Sequence, residues 1–357
     1  MKGYSLLDKA LSTKLRVTMF IAIMMVVFNH AYNLKIKLAT GTQYVKSDSA
    51  TAFFENIISK GIARIAVPLF FIISGYLFFS STETTKINFR KKILKRFKTL
   101  AVPFLFWSTL TFTIMYIAQL LPGTGHFLPY KLLRNCSLSQ CLKEIFASTL
   151  VGHLWFIRDL FLYVLLTPII YYVLRKTGII LLLGLVIVWF FEPFQEWPVF
   201  NIYGFIAFIT GNFIAIYGIE RKLTIAMSRW LIPIWVVIVF VRAYYLTYYG
   251  VEIAWLKNLG IMAGLAAVWF NYDLYGFFFE QKQIFWVTSF TFFVYAAHFA
   301  MIVIAHKIWL TTWGVSEASA LVGYFVCPLF VILICVALAI LFKRYCRGLY
   351  QVMTGWR

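Results

Sequence analysis

Acidic residues are scarce in this chain: 13 Asp and Glu stand against 33 Lys and Arg, and only 13% of the 357 residues are charged. So thin a charged complement, beside 62% hydrophobic residues, exceeds what one soluble core buries and excludes an ordinary water-soluble domain. The five cysteines have no metal-ligand spacing: Cys327 and Cys335 lie in an apolar run and Cys346 in the basic tail. Cys136 and Cys141, in a polar loop, would pair only if that loop faced an oxidising compartment. Glycine-rich phosphate loops are missing, and "LPGTGHF" at 121–127 reads as a turn. Internal repeats, low-complexity linkers and a soluble domain are also missing, so 1–357 reads as one domain. The first apolar run is too long, and lacks the small-residue site, for a cleaved signal peptide.

What the chain does have is apolar runs of about 17 to 25 residues, the length a helix needs to cross roughly 30 Å of hydrocarbon. Ten-residue alternation of the barrel kind does not occur. The pattern predicts an all-α integral membrane protein of about ten transmembrane helices, near 15–34, 61–80, 100–121, 150–172, 178–194, 200–218, 230–249, 254–270, 284–309 and 319–342. Both termini then share one side. Most Lys and Arg outside the spans fall on that side, which makes it cytoplasmic. The formal charge of +20 is thus a topology signal with contact to anionic lipid, and nucleic acid is not expected as a partner. Its densest part, "KINFRKKILKRFK" at 86–98, reads either as that signal or as a dock for a phosphate-rich cytoplasmic ligand.

Ionisable residues inside spans cost several kcal/mol unless they meet a cavity or a partner, so each is a functional candidate. Arg16 and His30 lie fourteen residues apart on the first span, nearly on one helix face and about 21 Å apart along the axis. A neutral imidazole at His30 suits proton transfer near pH 7. Arg64 opens the second span, and Arg242 lies in the seventh. The fourth, "VGHLWFIRDLFLYVLLTP" at 151–168, carries His153, Trp155, Arg158 and Asp159. Being adjacent, Arg158 and Asp159 diverge by about 100°. Each is expected either to pair with a different span or to line a watery cavity, with Arg158 as a fixed cation. Tyr295 and His298 share a face of the ninth span, and His306, eight residues on, reads as packing.

Several of these stretches, taken in order, resemble the integral-membrane acyltransferase-3 family, which includes bacterial O-acetyltransferases of surface polysaccharides. The pieces are the first span ending at His30, "VPLFFIISGYLFF" at 67–79, the basic link into "LAVPFLFW" at 100–107, "HLWFIRDLFLY" at 153–163 and "FTFFVYAAHF" at 290–299. The resemblance implies a multi-pass protein of the bacterial cytoplasmic membrane. Such a protein moves an acyl group, usually acetyl, from cytoplasmic acyl-CoA to a hydroxyl of a glycan or lipid-linked sugar outside. Acetyl-CoA is then a substrate, and no resident cofactor or metal is expected. It implies His30 as catalyst, with Arg158, Asp159 and Arg64 around the reacting carbonyl. Arg90, Lys91, Lys92, Lys95, Arg96 and Lys98, with Arg16, would hold the CoA phosphates, and His153, Trp155, Tyr295 and His298 would line the acceptor side. Where the family places an arginine eleven residues before its histidine, this chain has Met19, and Arg16 stands three positions earlier. The family's paired arginines near the third span appear here in lysine-bearing form. A transporter of an amino acid, sugar or lipid is the alternative, which predicts flux without CoA consumption; a structural part of an export complex is a third, which would leave His30 and Arg158 replaceable. The sequence leaves the oligomeric state open.

Overall fold

A computed structural model describes residues 9–38, 41–80, 87–120, 133–148, 152–193, 199–219 and 228–356. The turn expected at "LPGTGHF" lies outside them. Six described helices are long and apolar enough to cross a membrane: α1 (Lys9–His30), α2 (Ala50–Phe79), α3 (Phe89–Leu120), α8 (Ser228–Tyr248), α10 (Lys282–Trp313) and α11 (Glu317–Tyr345). A seventh span forms if α4 (Trp155–Leu165) and α5 (Thr167–Thr177) count as one, although they meet at 62°. Pro168 explains the bend: it sits in the first turn of α5, where a missing N–H is harmless, but it cannot continue α4. The other three expected spans are shorter apolar helices: α6 (Ile179–Phe191), α7 (Ile202–Tyr217) and α9 (Ala254–Phe270). The outer faces carry exposed Ile180, Leu183, Phe191, Phe330 and Leu333, as lipid contact requires. The protein is a multi-pass membrane protein.

Three expectations shift. The all-α reading misses an antiparallel hairpin, β1 (Lys35–Leu38) with β2 (Gly41–Tyr44), in the loop after α1. The second span begins at Ala50 rather than near 61, because polar Glu55, Asn56, Ser59 and Lys60 sit inside a helix whose geometry loosens to a π segment over Asn56–Gly61 and tightens to a 3₁₀ turn over Ile62–Ile65. The third begins at Phe89, within the basic stretch, where the Asn88 side chain accepts from the Lys91 N–H and caps the helix. A last short helix, α12 (Arg347–Thr354), folds back so that Trp107 Nε1 donates to the Met353 carbonyl at 3.0 Å.

The centre of the bundle is the crossing of α2 and α7, and the sequence explains how close it is. An added Cβ on Gly75 would lie 2.2 Å from the Phe208 carbonyl oxygen, and one on Gly211 1.9 Å from that of Ile72. In lipid, where helices gain little from excluding apolar surface from water, small residues that let backbones touch supply the packing. The "IISGYLFF" portion of the recognised stretch is therefore a backbone docking surface. It buries Ile73, Tyr76, Phe78 and Phe79 around that glycine.

Candidate active site

Three imidazoles meet where α1 ends. His30, the last residue of α1, lies with its ring centroid 5.4 Å from that of His298 and 6.3 Å from that of His153, which are 4.9 Å from each other. Phe299 completes the group, edge-on to His30 at 5.0 Å and stacked on His153 at 5.3 Å. Local structure accounts for the convergence. His153 lies two residues before α4, and its position is held from α10: Tyr295 Oη donates to the His153 carbonyl at 2.6 Å, and His153 Nε2 lies 3.3 Å from the Ala296 carbonyl. His298 bonds within its own helix, its Nδ1 lying 2.8 Å from the Tyr295 carbonyl and 3.1 Å from that of Val294.

Carbonyls only accept, so these contacts dictate tautomers. His298 is protonated on Nδ1 and His153 on Nε2, which leaves His298 Nε2 and His153 Nδ1 as bare lone pairs. Both atoms are buried without a hydrogen-bond partner. Two unsatisfied acceptors beside the half-buried His30 ring favour a hydroxyl donor over a carbonyl as a neighbour. Among the described residues no three His, Cys, Asp or Glu side chains are placed to hold a metal ion.

Arg16 and His30 do share a helix face, and both meet α10. Arg16 Nε donates to Thr288 Oγ1 at 2.6 Å, with its guanidinium 4.3 Å from the Phe285 ring centroid, while His30 meets the same helix at His298 and Phe299. Arg158 and Asp159 do not pair with separate spans. The arginine chain is long enough to fold back, so Nε and Nη2 both lie 2.9 Å from Asp159 Oδ1, and Nη1 donates to the Ala147 carbonyl at 2.5 Å. Asp159 Oδ2 accepts the Asn201 N–H at 2.9 Å, and Asn201 in turn caps α7 through the Gly204 N–H. Tyr163 Oη donates to the Asn201 carbonyl. Arg242 pairs with Glu252 through Nε at 2.7 Å and Nη2 at 2.5 Å. Trp155 packs on Phe71 and Phe156, with no ring contact to His30 among those described.

The pair at 158–159 thus organises the entry of α7. Asp159 is 1% exposed and Arg158 8%. Removing one member of a buried pair costs about 3–5 kcal/mol. Asp159→Ala is therefore expected to lower the thermal midpoint of the detergent-solubilised protein sharply, as tryptophan fluorescence on heating would measure; an unchanged midpoint would leave the pair without this structural role.

Arg64 is exposed on the 3₁₀ turn of α2. Within the basic stretch, Lys92 turns inward, donating to the Phe78 carbonyl, and Lys98 lies 4.2 Å from the Trp356 ring centroid. Arg96 is half-buried, while Arg90, Lys91 and Lys95 are exposed. Cys136 and Cys141 are not bridged; Cys141 Sγ lies 3.8 Å from the Cys136 carbonyl. His306 is buried, in keeping with packing.

Sequence reasoning passed over Phe299, Glu55 and Lys60. Phe299 leaves no signal among 37 phenylalanines. Glu55 and Lys60 lie ahead of the expected second span, in a stretch whose polar residues read as loop. Glu55 is fully buried, its Oε2 accepting the Asn33 N–H at 3.0 Å, and Lys60 Nζ lies 4.5 Å from the Tyr32 ring centroid.

The profile of a family described as "Acyltransferase domain" matches residues 17–342. Over 311 residues, 84% of this chain and 81% of the relative, the sequence is 28% identical to the "Succinoglycan biosynthesis protein ExoH" of Rhizobium meliloti. No solved structure matches.

Proposed function

This chain belongs to the acyltransferase-3 family, and from that premise we propose that it is a membrane O-acyltransferase. It takes an acyl group, acetyl by preference, from cytoplasmic acyl-CoA and esterifies a hydroxyl of an extracytoplasmic glycan or lipid-linked sugar. The observation that carries the reading is the trio His30, His153 and His298, with two bare nitrogens beside the histidine that ends α1. The relative's name places it in succinoglycan biosynthesis, which favours a glycan acceptor.

In this reading the short helices α6, α7 and α9 complete ten spans, both termini are cytoplasmic, and the membrane is the bacterial inner membrane. Acyl-CoA phosphates rest on the exposed Arg90, Lys91 and Lys95, with Lys92, Arg96 and Lys98 adding field. The acyl-bearing arm runs between helices towards His30. His30 removes the acceptor hydroxyl's proton as the oxygen attacks the thioester carbonyl, and the proton passes to the departing CoA thiolate. His298 and His153 accept hydrogen bonds from the acceptor or a bridging water, while Tyr295 holds His153 in place. Arg158 and Asp159 act as positioning residues through Asn201. Arg16, docked on Thr288, fastens α1 to α10 at the CoA end.

The deciding experiment follows CoA release by the purified protein in nanodiscs with acetyl-CoA and a glycan acceptor. Release coupled to ester formation is expected; uptake of a solute without CoA consumption would mean transport instead. Neutralising Arg90, Lys91 and Lys95 together is expected to raise the KM for acyl-CoA roughly tenfold at low salt with kcat kept, since exposed charge contacts contribute about 0.2–1 kcal/mol each and are screened by ions. A KM insensitive to both changes would return the stretch to a topology signal.

A further inference from the structure

We infer that one phosphatidylethanolamine molecule binds across two neighbouring hollows, with one of its two acyl tails in an apolar chamber between α1, α2, α6, α7 and α9 and its headgroup in a recess beside Lys14. This inference is independent of the acyl-transfer reading.

The tail chamber measures about 310 Å³ and is walled by Leu69, Ile73, Trp189, Ile206, Met262 and Leu265, among others. Polar side chains in its wall are few. The Thr210 hydroxyl is spent on its own helix, donating to the Ile206 carbonyl at 3.0 Å. A buried water needs two to four polar partners, so a chamber of this lining favours a hydrocarbon occupant.

Next to it lies an open recess of about 680 Å³ lined by Lys9, Thr13, Lys14, Tyr272 and Glu280. Lys14 and Leu15, consecutive in sequence, line the recess and the chamber respectively. Trp269, a wall of the chamber, has Lys14 Nζ 4.1 Å from its ring centroid. An ammonium therefore stands at the boundary between a hydrocarbon-lined space and a polar one, which is the geometry of a lipid phosphate.

The charges in the recess narrow the choice of headgroup. Two ammoniums, Lys9 and Lys14, suit one phosphodiester anion, and Glu280 on the same lining suits a cation that donates hydrogen bonds. Glu280 Oε1 accepts from Tyr272 Oη at 2.7 Å, which leaves further acceptor positions on that carboxylate. The neighbouring carboxylate, Asp273, is already held by Arg229 Nη2 at 2.5 Å. Phosphatidylethanolamine supplies both an anion and a primary ammonium. Phosphatidylglycerol offers nothing cationic to Glu280, and the quaternary ammonium of phosphatidylcholine has no N–H to donate.

The test uses the full-length protein, stripped of lipid in detergent and mixed with dioleoyl phosphatidylethanolamine, phosphatidylglycerol or phosphatidylcholine, with bound lipid counted by native mass spectrometry. Wild type is expected to retain one phosphatidylethanolamine with roughly tenfold preference over the other two, the scale of one charge-assisted hydrogen bond. Glu280→Gln should abolish the preference, Lys14→Gln should weaken retention of every phospholipid, and Ala266→Phe, which fills the chamber, should remove the adduct. Should Ala266→Phe fail to fold, Met262→Trp makes the same test from the preceding turn of α9. Equal retention of all three lipids by wild type, no retained lipid, or Lys14→Gln and Glu280→Gln variants identical to wild type would each overturn the inference.

Discussion

His30→Ala is expected to lower acyl-CoA turnover by about 10²–10⁴-fold, the contribution of a positioned general base, while leaving the protein folded. The second half of that expectation follows from placement. His30 is the terminal residue of α1, half-buried, and its neighbours are the rings of His153, His298 and Phe299 rather than the tightly packed middle of the helix. The measurement is CoA release by wild type and variant in the same nanodiscs, with monodispersity checked by size exclusion. A variant retaining a tenth of wild-type turnover would remove His30 from the chemistry. His298→Asn should produce a smaller loss, because His298 offers its bare Nε2 to an acceptor or water rather than acting as the base.

Gly211→Val is expected to prevent assembly of the bundle altogether. Overpacking of an ordinary core typically costs about 1–3 kcal/mol because side chains yield. At Gly211 the obstructing atoms are backbone: the added Cβ would lie 1.9 Å from the Ile72 oxygen and 2.8 Å from the Tyr76 nitrogen. Backbone can yield only if α2 and α7 separate, and Gly75 opposes the same move from the other side. Size-exclusion profiles of fluorescently tagged protein should show aggregate for Gly211→Val and a normal peak for Gly184→Ala, whose Cβ would meet nothing within 4 Å. Exchanging that glycine for alanine inside a helix is expected to stabilise by about 0.5–1 kcal/mol. A normal peak for Gly211→Val would show that the crossing is looser than its geometry implies.

The contrast between these residues and Arg158 shows where the reading of the chain reached its limit. His30, His153 and His298 were all legible as rare ionisable residues in apolar stretches, because hydrocarbon makes such residues costly wherever they stand. Their meeting was not legible: 123 residues separate His30 from His153 and 145 separate His153 from His298. Arg158 and Asp159 drew the same attention, yet helical angles alone set them apart. A flexible arginine chain overrides a 100° divergence, and the pair closes on itself. The start of α2 differs for a related reason: Glu55 and Lys60 are polar residues held inside the fold, against Asn33 and Tyr32, and hydropathy cannot distinguish them from a loop.

By itself the sequence determined that this is a multi-pass helical membrane protein of the acyltransferase-3 family, since run length, charge placement and ordered motifs are local properties of the chain. Only the tertiary structure decided that three histidines from α1, the lead into α4 and α10 converge, that Arg158 is bound to Asp159, and that Lys14 stands against Trp269, a wall of the apolar chamber. Those outcomes depend on which helix faces meet and on which buried donors find acceptors. Both are settled by packing across the whole chain, which sets residues distant in sequence against one another.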